Sequence, residues 1–255
     1  GLGYLYMVDA QTGKILRRMT TGAGCAVNDN PDGACGANTD DPSGLARINA
    51  WVDSATTDNT AKAVYGGDLK GNLWRFQLDN TAAVPRYSVT QIATVVADGN
   101  VVQPITVRPD LATVSSNRVI FLGTGKFLGD TDKPSLARQS IYAIKDDMSG
   151  VVSPQIDMSR PGAGAITGFI RQVLTEDTTS TRTVTTPQPV NFGTDKGWFI
   201  DLPDGGTAEE AAERVSVDPI IQLGTLVVAS NVPSTETCLA GGSGWVNFLD
   251  IRTGA

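Results

Sequence analysis

The stretch at residues 64–78, VYGGDLKGNLWRFQL, constrains the fold more than any other part of the chain. Ala63, Val64 and Tyr65 are small, β-branched and aromatic, a strand-like run. Gly66-Gly67-Asp68 and Lys70-Gly71-Asn72 are turn chemistry, because glycine takes a positive φ without steric cost. The next six residues alternate two faces. Leu73, Arg75 and Gln77 point one way, and Trp74, Phe76 and Leu78 the other, which assigns the second set to a core. The segment reads as one hairpin of a sheet, packed through Trp74 and Phe76.

The same kind of unit recurs at both ends. Near the start, Gly3 to Val8 is followed by Asp9-Ala10-Gln11-Thr12-Gly13; near the end, Gly244 to Leu249 is followed by Asp250-Ile251-Arg252-Thr253-Gly254. The Asp can accept from backbone N–H groups two or three residues on, Thr does so more weakly, and Gly supplies the left-handed residue that reverses the chain. Repeated strand units ending in Asp-x-x-Thr-Gly predict a radial repeat, the blades of a β-propeller. The alternative is three unrelated hairpins in a sandwich.

The chain has 255 residues, enough for one large all-β domain or two small ones. A net charge of −7, with no Lys/Arg cluster, argues against nucleic acid or an anionic membrane as partner. No apolar run approaches the ~18 residues of a membrane-spanning helix. The chain opens inside a repeat unit and stops just past a turn, so it is expected to be a single propeller domain over 1–255 cut from a longer protein. There is no histidine. That removes His-based triads and general bases, His-ligated zinc and proximal-His haem, and no catalytic residue is assigned. Cys25 and Cys35 flank a Gly/Asn/Asp loop and could form a local disulfide, which would imply an oxidising compartment; the alternative is that all three cysteines, Cys238 included, are free thiols.

In chain order, residues 1–20 read as a strand pair and 21–46 as a long polar loop. Residues 47–52 form a strand and 53–59 its turn, ahead of the central hairpin. Further along, strands are expected at 84–97 and 101–108, separated by Asp98-Gly99-Asn100, a hairpin signal. Others are expected at 118–123, 140–144, 168–175, 181–190 and 197–202. Residues 207–215 read as one short helix, with Thr207 and Glu210 as a capping box. Residues 220–230 read as apolar strand broken at Gly224, and 238–254 repeats the first unit. The total is roughly twelve to sixteen strands, enough for about three to five blades of four.

Tyr65-Gly66-Gly67-Asp68-Leu69-x-Gly71-Asn72-Leu73-Trp74-Arg75-Phe76 resembles the signature of the PilY/PilC family, large proteins associated with bacterial type IV pilus tips. Further blocks are similar and in the same order: Gly123-Thr124-Gly125-Lys126-Phe127-Leu128, Gln139 to Ile144, Gly197-Trp198-x-x-Asp201-Leu202, Glu213-Arg214-Val215, and Cys238-x-x-Gly241-Gly242-Ser243. The resemblance implies the family's C-terminal domain, a modified β-propeller of PQQ-like blades on the cell surface. It implies roles in pilus biogenesis, in balancing extension against retraction, and in adhesion. Minor pilins and a surface receptor are the implied partners.

The family often carries a calcium loop of the form Asp-x-Asp-x-Asp-x-x-x-Asp just before this hairpin. Calcium takes about six to eight oxygens, which carboxylates at alternate loop positions can supply. The matching positions here are Ser54, Thr56, Asp58 and Lys62, with Asp53 one position off. Asp53 and Asp58 are therefore the candidate metal ligands of a degenerate loop, with Lys62 placing a cation where the last ligand belongs. The alternative is that Asp53, Asp58 and Asn59 cap a turn. Two other acidic loops, Asn28-Asp29-Asn30-x-Asp32 with Asp40-Asp41, and Asp130-Thr131-Asp132, lack the spacing and the closing bidentate carboxylate.

Three functions compete. The first is a non-enzymatic module of pilus assembly and tip adhesion, outside the cell after passage through the periplasm. The second is a quinoprotein-like dehydrogenase, since such propellers share the Asp-x-x-Thr-Gly turns; it needs a calcium cage, a catalytic Asp and a Trp stacked on the cofactor, and strand positions explain Trp51, Trp74, Trp198 and Trp245 by packing. The third is a periplasmic scaffold propeller. The ordered family blocks favour the first.

Overall fold

The computed structural model describes residues 2–21, 43–150, 154–160, 164–178, 180–205, 211–234 and 241–255. The Cys25–Cys35 pair, Cys238, most of the 21–46 loop and the Thr207/Glu210 capping box lie outside them.

The described chain is all β. β1 (Tyr4–Val8) and β2 (Ile15–Thr20) form a two-stranded sheet. β3 (Ile48–Ser54), β4 (Asp58–Gly67), β5 (Asn72–Gln77) and β6 (Val89–Thr94) form an antiparallel meander in that order. β7 (Val96–Ala97) and β8 (Val101–Val102) make a short hairpin around Asp98-Gly99-Asn100. Next come β9 (Asp110–Val114), β10 (Asn117–Gly123), β11 (Ser140–Asp146), β12 (Phe169–Gln172), the β13 (Leu174–Thr178)–β14 (Thr181–Val184) hairpin, and β15 (Gly197–Asp201). Five of these strands form one sheet in the order β12-β15-β11-β10-β9, with β12 parallel to β15. β16 (Ile220–Gln222), β17 (Thr225–Pro233) and β18 (Gly242–Asp250) form the last sheet.

Several strands are shorter than their sequence suggests: residues 84–88, 103–108 and 185–190 are not strand. The expected helix at 207–215 is not borne out where it is described. Residues 211–215 are extended, and Arg214 bridges antiparallel to Asn231. Alanine's helix propensity, a few tenths of a kcal/mol per residue, is overridden by this pairing and by the burial of Ala211, Ala212 and Val215.

Consecutive sheets pack face to face, as blades do. Leu5 and Met19 of the first sheet meet Val64, Trp74 and Phe76 of the second. The other face of the second sheet, with Ala63, Tyr65 and Leu73, meets Ile120, Leu122, Tyr142, Ile144 and Phe199 of the five-stranded sheet. That sheet's far face, with Val119, Phe121, Ile141, Ala143, Trp198 and Ile200, meets Leu226, Val228 and Leu249 of the last. Neighbouring residues along one strand thus enter different cores, as the two-residue period of a strand requires. Burying such a side chain stabilises by about 1.5–3 kcal/mol, so each inner sheet is held from both sides. This corrects the one-faced reading of the central hairpin. Leu73, Arg75 and Gln77 are as buried as Trp74 and Phe76.

Candidate functional site

Buried charges sit in and beside the joints between sheets. The Arg75 guanidinium lies against the Asp146 carboxylate at the end of β11 and donates to the Ser149 carbonyl. The Tyr65 hydroxyl donates to Asp146 at 2.7 Å and accepts from Arg118 at 3.1 Å. Burial, then the Asp146 charge, pushes the Tyr65 hydroxyl far above its usual range. It is a fixed donor.

A second network lies where β11 begins and β15 ends in the five-stranded sheet. Arg160 holds Asp201 through two bonds of 2.9 and 2.7 Å, and Ser140 donates to the same carboxylate at 2.8 Å. Asp98 lies 3.0 Å from Arg160. Burial alone would raise the Asp201 pKa, but the Arg160 hydrogen bonds and charge outweigh it and hold the carboxyl below its usual range.

The third network ties the β13–β14 hairpin to the last sheet. Arg182 of β14 grips Glu213 at 2.8 and 2.6 Å, donates to Asn247 at 2.9 Å and stacks 4.5 Å from the Trp245 ring. The adjacent Arg214 donates to the carbonyls of Asp132, Ser135 and Lys126 at 2.5, 3.0 and 3.3 Å.

The sequence blocks therefore resolve into structural parts. Asp68, in the turn of the central hairpin, accepts from the Lys70 and Asn72 amides, the Asn72 side chain and the Trp74 indole, at 2.8–3.0 Å. Lys126 lies 3.0 Å from Asp132. The charges at the centres of the three networks are paired with one another. Each pair forms at one alignment of its sheets, so it can set register. Sequence reasoning misses Asp146, Arg160 and Arg182. Their partners lie 71, 41 and 31 residues away, and no local spacing marks them.

Asp53 and Asp58 flank the tip of the β3–β4 hairpin, where Ser54 pairs with Asp58. Asp53 accepts from the Trp51 indole at 2.9 Å and faces Arg118 at 3.6 Å. Asp58 accepts from the Thr60 amide at 2.8 Å and has Lys62 at 3.8 Å. Hydrogen bonds from Thr60 hold the Asp58 carboxyl below its usual range. Each carboxylate thus has a cation beside it. Asp130 and Asp132 lie in a 3-10 turn, paired with Lys133 and Lys126. Among the described residues no three or more His, Cys, Asp or Glu side chains gather as a metal site would require.

A groove of about 520 Å³ runs between the β13–β14 hairpin and β18, lined by Leu174, Arg182, Val184, Trp245, Asn247 and Ala255 among others.

With this architecture in view, comparison with known proteins is specific. The chain is 28% identical to a type IV pilus biogenesis factor PilY1 homolog of Xylella fastidiosa, an alignment that takes in 100% of this chain and 17% of the relative. It is 25% identical to the type IV pilus biogenesis factor PilY1 of Pseudomonas aeruginosa, over 98% of this chain and 23% of the relative. The chain thus spans about a sixth to a quarter of the length of these relatives. The crystal structure of the Pseudomonas aeruginosa PilY1 C-terminal domain superposes with a TM-score of 0.69 at 22% identity, covering 98% of this chain and 52% of that one. That likeness shows the fold, a β-propeller. The family model for the PilY1 beta-propeller domain matches residues 9–186, and the chain belongs to that family.

Proposed function

We propose that this chain is a non-enzymatic propeller module of a protein that acts in type IV pilus biogenesis. The observation that carries the reading is the match of residues 9–186 to the PilY1 propeller family. A physical reason supports a presenting role. The three buried networks pair charges with one another, while hairpin tips such as β3–β4 are exposed. A rigid stack of sheets can hold such tips toward minor pilins on one side and a surface on the other, at the pilus tip or outer surface. Adhesion and a part in balancing extension against retraction accord with that placement.

The test is deletion of these 255 residues from the intact gene product in its own host. Pilin in the sheared surface fraction is expected to fall sharply while total cellular pilin stays constant. Unchanged surface pili, together with a quinone absorbance in the purified product, would favour the dehydrogenase reading instead. Unchanged pili with the product confined to the periplasm would favour a scaffold.

A further inference from the structure

The turn of the central hairpin braces a depression with two fixed walls. One wall is residues 43–47, ahead of β3. The Leu69 amide, in that turn, donates to the Ser43 carbonyl at 3.0 Å, and the Ala46 amide to the Gly67 carbonyl at 2.8 Å. The other wall is residues 125–128, after β10. The Gly125 amide donates to the Pro104 carbonyl at 2.8 Å. The Thr106 hydroxyl donates to the Gly125 carbonyl at 2.8 Å, and the Leu128 amide to the Asp132 carboxylate at 2.9 Å. Between the walls lies a space of about 380 Å³, lined by Ser43, Leu45, Arg47, Leu69, Thr106 and Leu128 among others. That size suits a preformed site.

The walls present leucines, and the mouth is cationic. Leu128 is 69% exposed, although its amide is tied down. Two ion pairs flank the mouth, and in each the cation is the more exposed partner. Arg47 pairs with Asp218 at 2.9 Å, their side chains 65% and 25% exposed. Lys126 pairs at 3.0 Å with Asp132, the carboxylate that also holds the Leu128 amide; these side chains are 48% and 7% exposed. Arg108, whose amide donates to Asp218 at 2.9 Å, is exposed as well. Asp130, further along the same loop, is exposed but lies 2.9 Å from Lys133. The mouth therefore has positive potential on a chain whose net charge is −7. Positive charge around an apolar hollow complements an apolar side chain flanked by carboxylates.

We infer that this depression is a docking site for a short acidic segment of another protein. The segment inserts a side chain the size of leucine or phenylalanine between Leu45, Leu69 and Leu128. Its carboxylates lie on Arg47 and Lys126. The apolar side chain covers Leu128, which otherwise stands in water, and supplies most of the affinity. The cations choose an acidic partner over a basic one and speed the encounter. Walls already held by backbone hydrogen bonds spare the cost of ordering them on binding.

The experiment uses the intact gene product and a fluorescein-labelled peptide with leucine and phenylalanine at its centre and aspartate and glutamate on both sides. Fluorescence anisotropy should show saturable binding that weakens about tenfold or more when the acidic residues are replaced by lysine, and weakens further as salt is raised. Leu128→Ser, at an exposed position on which the fold does not depend, should weaken binding by about tenfold, whereas Leu128→Met should retain it. No saturable binding up to about millimolar peptide, equal binding of the lysine version, or equal binding by Leu128→Ser would overturn the site. So would self-association of the gene product that Leu128→Ser abolishes, because the occupant would then be a second copy. Loss of surface pili on deletion, together with absent peptide binding, would reject this site and leave the pilus role standing.

Discussion

The Arg75 guanidinium and the Asp146 carboxylate meet in the joint between two consecutive sheets with both side chains fully buried. Tyr65, one strand away, closes the same carboxylate with its hydroxyl at 2.7 Å. A buried pair contributes little over a well-packed apolar pair, but losing one partner leaves a charge without a counterion.

Arg75→Ala should therefore destabilise the protein by about 3–5 kcal/mol, read as a fall in the urea midpoint with little change in slope. The double variant Arg75→Met, Asp146→Leu should recover most of that loss. A loss below about 1 kcal/mol for Arg75→Ala would show that water reaches the pair.

Two glycines separate backbone strain from crowding. At Gly13, with φ of +71°, a Cβ would meet nothing within 4 Å, so Gly13→Ala should cost roughly 1–2 kcal/mol from conformation alone. At Gly197, with φ of +150°, a Cβ would lie 1.9 Å from the Ala143 carbonyl oxygen on the paired strand. Gly197→Ala should exceed about 4 kcal/mol, in the range that marks a specific mechanism. Thermal unfolding of the two variants gives the comparison, and equal effects would contradict it.

Stability should fall in acid partly through Asp201. Its carboxyl is held below the ordinary value of 3.8 in the folded protein, because Arg160 outweighs the effect of burial. The unfolded chain then binds the proton more tightly than the folded one. The contribution is complete above the unfolded pKa near 4 and is lost as pH falls through the lower folded value. Asp201→Asn should be less stable than the parent at pH 6, with the gap narrowing below about pH 3. Denaturation curves at the two pH values check this, and a gap independent of pH would contradict it.

Asp53 and Asp58 face Arg118 and Lys62. Titration calorimetry should therefore detect no calcium binding at the β3–β4 tip until about millimolar, the weak end of calcium sites. Tighter binding abolished by Asp58→Ala would restore a calcium function to this loop. Tight binding that survives the substitution would place the ion elsewhere.

Turn chemistry is the most legible part of the sequence. The Asp-x-x-Thr-Gly turns, the central hairpin and the break at Gly224 are local events, written in residues two to four apart. The second buried face of the hairpin is not legible in this way. Arg75 and Gln77 read as outward-facing because long polar side chains usually are, and Asp146, which makes burial of Arg75 tolerable, lies 71 residues on. The extended path of residues 211–215 is hidden for the same reason: its pairing partner is Asn231, while the local composition favours a helix. The candidate cation loop is legible as a tip between strands. The guanidinium facing Asp53 depends on the tertiary placement of Arg118.

If the folded propeller supports pilus assembly, unfolding it must lower the number of surface pili. The most direct measurement is surface pilin in the sheared fraction of a host whose gene product carries Gly197→Ala or Asp58→Ala. Gly197→Ala, confirmed as locally unfolded by proteolysis, should reduce surface pili to the level of the deletion. Asp58→Ala should leave them unchanged. Parent-level pili with the propeller unfolded would contradict a role of the folded propeller in pilus assembly.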